Sequence, residues 1–408
     1  MNQTKKGKIS IKRQIRKNQI LNFFRQNESL SPAEIAKLSE LTLPMVSDLS
    51  KELYADGYLL IDETSKTKVG RPANYYTLNP DGGYVIGVHI SVKKINIILL
   101  NLCEDIVLIK RHTLVDLQDE MEAIRHIEGK VYEVIEEAEI DYDKLLGIGI
   151  AITGLVDREN GRTITYLGSG EPLKKTMEER FKRPVFIEND VNAMALGEIY
   201  FGSGKNISHM ACINLDWEIG MGLVFNKELY VGNKGLAGEL GHFKAVDNGE
   251  ICSCGKLGCL ETVASGRALV SKAKMAMAEG TSSKVIHIVK GEIDDINLDV
   301  LITAAKQGDN YALKLFEEAG HYIGKTLGSM LNLLNLERIL LEGRISELGN
   351  TILYPIYSSI IQNSLVEINE GINVECSTIH DKAASLGATT LISNHLFETP
   401  LVDANQFV

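Results

Sequence analysis

The chain has 408 residues with 43 Lys and Arg, 54 Asp and Glu, a formal charge of −11 and six cysteines. That length allows two to four domains, and a 44% hydrophobic, 24% charged composition excludes wholesale disorder. No apolar run of about 18 residues occurs and the N-terminus lacks a secretory h-region, so a soluble, cytoplasmic, reducing setting without membrane insertion is expected.

The charge is unevenly distributed. Residues 1–80 hold 13 Lys and Arg against 8 acids, a net +5, and the remainder holds 30 against 46, a net −16. Residues 1–27 carry eight basic side chains and no acid. A basic head on an acidic body points to a polyanion at the head only, or to a solvated basic tail.

The pattern along the chain weighs between those readings. Residues 11–26 place Ile15, Ile20, Leu21, Phe23 and Phe24 largely on one helical face. Ser31-Pro32 opens a second helix over 33–39, with Ser as cap. Thr42 then caps a third, in which Val46, Leu49 and Leu53 recur at helical spacing before Asp56-Gly57. Two short helices across a tight turn are a helix-turn-helix arrangement. Strands over 58–61 and 75–78 flank a polar loop carrying Lys66, Lys68 and Arg71, the expected wing of a winged helix. The outward face of the third helix offers Thr42, Met45, Ser47, Asp48 and Lys51 to DNA, with no arginine. Phosphate contacts from tail and wing are therefore expected to carry much of the affinity. The alternative is a small helical domain for protein interaction.

From Tyr84 the texture becomes α/β. Buried strands are predicted over 84–90, 95–102 and 104–115, a helix over about 118–138, and a strand over 145–157. A further strand enters a helix at Asn189-Asp190, and the order of strands and helices then roughly repeats, with helices from about 260. The division expected is a DNA-binding domain over 1–82, a first α/β lobe over 83–200 and a second over 201–408. A C-terminal helix from about 382 completes the second segment. Two lobes facing a cleft would gather polar groups at strand ends, where Asn189, Asp190, Glu239, His242 and Glu261 are the candidates. Asn189 and Asp190 serve equally well as helix caps.

His242 precedes Cys252, Cys254 and Cys259, three cysteines within eight residues. Three thiolates and an imidazole fill a tetrahedral zinc site and leave no open position, which argues for a structural ion. Gly255 and Gly258 permit the tight turns that such convergence needs. A redox pair is the competing reading. Cys103, Cys212 and Cys376 read as core thiols.

Together these residues resemble the ROK family of repressors, open reading frames and kinases. The resemblance lies in GIGIAITGLVD (147–157), PVFIENDVNAMALGE (184–198), AGELGHFKAVDNGEICSCGKLGCLETVASG (237–266) and GRPANYYTLNP (70–80). It implies an actin-like ATPase fold, ribonuclease H-like and sugar-kinase-type, behind an N-terminal winged helix-turn-helix. It also implies that the C-terminal helix returns to the first lobe. Zinc would be held by His242, Cys252, Cys254 and Cys259, and sugar hydroxyls by Asn189, Asp190, Glu239, His242 and Glu261.

The departures from kinase members bear on activity. His89-Ile90-Ser91 stands where they carry a DxGxT-type turn, and Asp216 and Glu218 replace glycines of a phosphate loop. Glu342-Gly343 stands in place of Gly-Gly, and Thr153-Gly154-Leu155 in place of a Pro-Gly-Pro-like turn. A short segment, 166–172, lacks the Asn of sugar-binding relatives. The expectation is a sugar-responsive repressor of carbohydrate-metabolism genes, a homodimer or tetramer, with no catalytic residues and no ATP. An ATP-dependent hexose kinase, or a regulator that senses a protein partner, are the alternatives.

Overall fold

The computed structural model describes residues 2–62, 74–92, 94–113, 117, 119–168 and 170–397. Two compact units divide it: 1–152, 159–188 and 388–408 form the first, and 153–158 with 189–387 the second. One break between the units falls at 188/189, against the boundary expected at 200/201, and 388–408 belong to the first unit. The head lies in the first unit together with the first α/β sheet.

Three helices build the head: α1 (Asn2–Gln26), α2 (Pro32–Leu38) and α3 (Leu43–Ala55). Strands β1 (Leu59–Asp62) and β2 (Tyr75–Leu78) follow as an antiparallel pair, Leu59 opposite Leu78. Ser31 starts α2 through a reciprocal capping box: the Glu34 amide donates to Ser31 Oγ (3.3 Å) and the Ser31 amide to Glu34 Oε2 (2.8 Å). Thr42 occupies the cap position of α3, but its side chain makes no capping bond. Gly57, at φ +84°, turns the chain out of α3. Ile20, Leu21 and Phe24 meet Ile35, Val46, Leu49, Leu53, Leu59 and Tyr76 in one core, closed by Leu102 and Phe397 from outside the head.

The first sheet runs, edge to edge, Ile106–Thr113, Lys94–Asn101, Tyr84–Ile90, Leu145–Ile152 and Val185–Asn189. Its first three strands are an antiparallel meander, and Tyr84–Ile90 pairs parallel with Leu145–Ile152. The second sheet runs Glu228–Tyr230, Ile219–Phe225, His209–Leu215, Arg338–Glu342 and Asn373–Cys376. Here too a meander is followed by parallel strands, so the expected repeat of architecture is present. The central strand Lys94–Asn101 is buried over most of its length, which its run of Ile and Leu side chains allows.

The C-terminal helix, Ala383–Phe397, is buried on nearly every side. A Cβ at Gly149 would lie 1.9 Å from the Ala388 carbonyl oxygen, so only glycine lets this strand approach the helix. Among the described residues, no helix is long and apolar enough to cross a membrane.

Candidate functional site

His242 ends a short 3-10 turn, Leu240–His242, and the chain then folds into a knuckle. Bridges Lys244–Cys259 and Ile251–Leu257 close it, and the Cys252 amide donates to the Lys256 carbonyl (2.8 Å). Gly258 has φ +73°, and a Cβ there would sit 1.9 Å from the Val246 carbonyl oxygen. The result brings His242, Cys252, Cys254 and Cys259 together, with their ligand atoms within 4.8 Å of one another. Cys254 Sγ lies 3.6 Å from Cys259 Sγ, and Cys252 Sγ lies 3.6 Å from His242 Nδ1. Two thiolates on a tetrahedral zinc, each at about 2.3 Å, stand about 3.8 Å apart. The four residues fit that ion, and the sulfurs are too far apart for a disulfide.

The other ring nitrogen, Nε2, points to Glu239 Oε2 at 3.9 Å. A ligand at Nδ1 thus leaves Nε2 on the side of the carboxylates. Glu261 is buried. Its Oε2 accepts from the Ile219 amide (2.9 Å), and Oε1 lies 3.6 Å from Arg267 Nη2. Burial pushes the Glu261 carboxyl up to about 7, with Glu218 adding to the rise. Glu239 and Glu218 are also raised by burial, and each feels Asp190 in the same direction and His242 in the opposite one. Four of the predicted residues, Asp190, Glu239, His242 and Glu261, therefore share one neighbourhood with two others, Glu218 and Arg267. Only the loop after His209–Leu215 brings Glu218 there, and Arg267 arrives through the first turn of the helix Gly266–Ala278.

Asn189 is the N-cap of the helix Asp190–Phe201, accepting from the amides of Val191 (3.0 Å) and Asn192 (3.1 Å). Its Nδ2 donates to the Gly154 carbonyl (2.9 Å), tying the 153–155 turn to this helix start. Asp190, also buried, accepts from Asn189 Nδ2 (3.2 Å) and from the Val191 amide (3.0 Å). The cap reading of Asn189 is thus realised, and it also pre-sets the position of Asp190.

Asp216 has a partner that no motif announced. Arg344 Nε and Nη2 donate to its carboxylate at 3.0 and 2.5 Å, and the Arg344 and Trp217 amides add bonds of 3.2 and 2.6 Å. Arg344 Nη1 also reaches Asp299 (3.2 Å). The loops after His209–Leu215 and Arg338–Glu342 are clasped together by this pair.

On the head, Thr42, Asp48 and Lys51 are exposed, and Met45 and Ser47 are half-buried. Lys66, Lys68 and Arg71 lie outside the described residues. Part of the basic tail is committed internally. Arg13 pairs with Glu52, holding that carboxyl down at about 2, and Lys17 reaches Asp56 (2.7 Å) and Glu52 (3.2 Å). Arg25 pairs with Glu104 (2.6 Å) and lies over the Phe397 ring. Among the described tail cations, Arg13, Lys17 and Arg25 therefore hold the head together or to its neighbours.

Two five-stranded sheets with the same strand order, one of them beside a His-Cys knuckle and buried carboxylates, define an actin-like fold of the sugar-kinase type. The chain belongs to the ROK family, whose pattern spans residues 85–395. The xylose repressor of Caldicellulosiruptor bescii is 28% identical over 397 residues, covering 97% of this chain and 99% of the relative. The DNA-binding transcriptional dual regulator NagC of Escherichia coli K12 is 26% identical over 390 residues, covering 95% and 94%. A solved ROK family transcriptional regulator, a homolog of the E. coli MLC protein, matches with TM-score 0.79 and 25% identity over 95% of this chain and 97% of its own. A ROK family glucokinase from Streptomyces griseus, in complex with glucose and AMPPNP, matches with TM-score 0.68 and 30% identity. It covers 76% of this chain and 99% of its own.

Proposed function

We propose that this chain is a sugar-responsive transcriptional repressor of carbohydrate-metabolism genes. Residues 1–82 would be a winged helix-turn-helix that reads operator DNA, and residues 83–408 the sensor. One observation carries this reading: relatives named as a xylose repressor and a DNA-binding transcriptional dual regulator match over 95–97% of the chain, head included, whereas the glucokinase leaves about a quarter of it unmatched.

The effector is a monosaccharide or sugar derivative. Asn189, Asp190, Glu239, His242 and Glu261 would bind its hydroxyls, since carboxylates and amides can each engage two. Asp190 acts as a hydroxyl acceptor. One structural zinc ion, on His242 Nδ1 and the three thiolates, would cross-link the knuckle and hold His242 Nε2 toward the sugar. On the head, Thr42, Met45, Ser47, Asp48 and Lys51 would face the major groove, with Lys66, Lys68 and Arg71 as the wing. A homodimer would present two heads to a pseudo-palindromic operator.

A kinase is the second reading, favoured by the glucokinase likeness. Against it stands the Asp216–Arg344 clasp. The ion pair closes the loop that would have to accept a triphosphate, and a phosphate there would have to displace Arg344 and leave Asp216 half-buried without its counter-charge. Gel shift of the full chain on its promoter DNA, with and without a monosaccharide series, tests the proposal. Operator binding altered by one sugar is expected, with that sugar at 100 times its Kd adding about 2.7 kcal/mol of stability. Asp190→Asn should lose the sugar response and keep operator binding. ATP-dependent phosphorylation of a hexose, or no DNA binding at all, would overturn it.

A further inference from the structure

The loop 216–218 joins the strands His209–Leu215 and Ile219–Phe225. Its backbone is stapled to the segment 261–267 that follows the knuckle. The Asp216 carbonyl accepts from the Gly266 amide (2.8 Å), and the Trp217 carbonyl accepts from the Arg267 amide (3.2 Å). The Ile219 amide donates to Glu261 Oε2 (2.9 Å). A Cβ on Gly266 would stand 2.7 Å from the Asp216 carbonyl oxygen, so the two segments pass at backbone distance. Glu218 thus sits between neighbours that are all fastened beside Glu261 and Arg267.

Its side chain is not fastened. Among the described residues the Glu218 carboxylate makes no hydrogen bond and no ion pair, and it still meets solvent. The adjacent cation is engaged elsewhere, since Arg267 Nη2 faces Glu261 Oε1 at 3.6 Å. Asp216, two residues before, has its counter-charge in Arg344. Glu239 has only His242, 3.9 Å away. That imidazole belongs to the knuckle, where a divalent ion on three thiolates leaves the centre anionic overall and adds no cation. Glu261, 4% exposed, keeps an Oε1 that accepts no hydrogen bond. Negative charge and empty acceptor positions therefore coincide in the neighbourhood of Asp190, Glu218, Glu239 and Glu261.

We infer that Glu218 sets the charge class of the effector: it admits a free sugar and excludes sugar phosphates and sugar acids. The inference rests on the sugar-sensor reading of this site and names which sugars the site takes. A carboxylate without a partner accepts from hydroxyls, so a free sugar gains a hydrogen bond there. An esterified oxygen has no hydrogen to give, and its phosphate brings nearly two negative charges at neutral pH. Where kinase relatives carry a glycine, this loop presents like charge to like. Solvent screens Glu218 in part, so a unit charge a few ångströms away costs about tenfold in affinity, and a phosphate on the order of 100-fold.

Isothermal titration of the zinc-loaded full chain tests this at fixed ionic strength. The probes are glucose, mannose, N-acetylglucosamine and xylose, each beside its 6-phosphate or, for xylose, its 5-phosphate. A free sugar should bind on the order of 100-fold more tightly than its own phosphate. Glu218→Gln keeps the shape, removes the charge, and should bring the two within about tenfold. Glu218→Asp keeps the charge and should preserve the discrimination. The ratio is the readout, because a merely structural loss would weaken both ligands alike. A phosphate that binds the wild type as well as its sugar does, or a ratio unmoved by Glu218→Gln, would overturn the role of Glu218 and leave the sensor reading standing. Binding of no sugar in either form would overturn the sensor reading, and the role of Glu218 with it.

Discussion

Arg344 holds Asp216 with two guanidinium nitrogens and its own backbone amide, joining two loops that leave adjacent parallel strands of the second sheet. The pair is only about one-quarter exposed, so solvent screens it less than a surface pair.

Arg344→Ala should therefore destabilise the second unit by about 1–3 kcal/mol, because Asp216 is left half-buried without its counter-charge. Asp216→Ala should cost a similar amount, and the double substitution less than the sum. Chemical denaturation of the four proteins measures the coupling. Full additivity would show that the clasp contributes nothing.

Glu342 and Glu198 are both buried, and two carboxylates kept so close out of water favour a proton on one of them. Ser377 Oγ donates to Glu198, and the Ser203 amide donates to its Oε2 (2.8 Å). Burial, reinforced by Glu198, holds Glu342 well above the usual carboxylate range. For an acid raised in the folded state, the stabilisation is complete below the unfolded value near 4.3. It is lost as pH rises through the folded one. Glu342→Gln should thus gain stability relative to wild type as pH increases. Melting curves at pH 5 and pH 8 check it, and a constant difference between the two proteins would refute the shared proton.

Chelation should unfasten the knuckle. One zinc per chain is expected by metal analysis, falling to none in Cys254→Ser with Cys259→Ser. Sugar affinity should fall with it, because His242 Nε2 is held toward Glu239 only while Nδ1 is held elsewhere. Sugar binding unchanged in the metal-free protein would separate the two sites.

Phe397 closes the head core from the end of the C-terminal helix and underlies Arg25. Phe397→Ala should cost about 3 kcal/mol. The loss should register as faster hydrogen exchange over 20–78, with the second unit unaffected. Uniform protection would place Phe397 outside the head's cooperative unit.

Periodicity made the three head helices legible, because Val46, Leu49 and Leu53 can serve a core on only one side. The meander strands were legible from their unbroken apolar runs, and the knuckle from three cysteines and a histidine with glycines between them. The partner of Asp216 was not legible: Arg344 lies 128 residues away and belongs to no motif. Glu218 read as an intruder in a phosphate loop, and its place among Asp190, Glu239 and Glu261 depends on how the strands His209–Leu215 and Ile219–Phe225 turn.

Local chemistry was thus determined by sequence alone: capping at Ser31, the turn at Gly258, the gathering of one histidine and three cysteines in the knuckle, and the split between a +5 head and a −16 body. These depend on residues a few positions apart or on simple counts. The tertiary structure decided which charges remain available. Arg13, Lys17 and Arg25 look like free cations along the chain, yet each meets a carboxylate brought to it by packing. Asp216 is claimed by Arg344 in the same way. An ion pair acts over a few ångströms, and only the fold sets which side chains come that close.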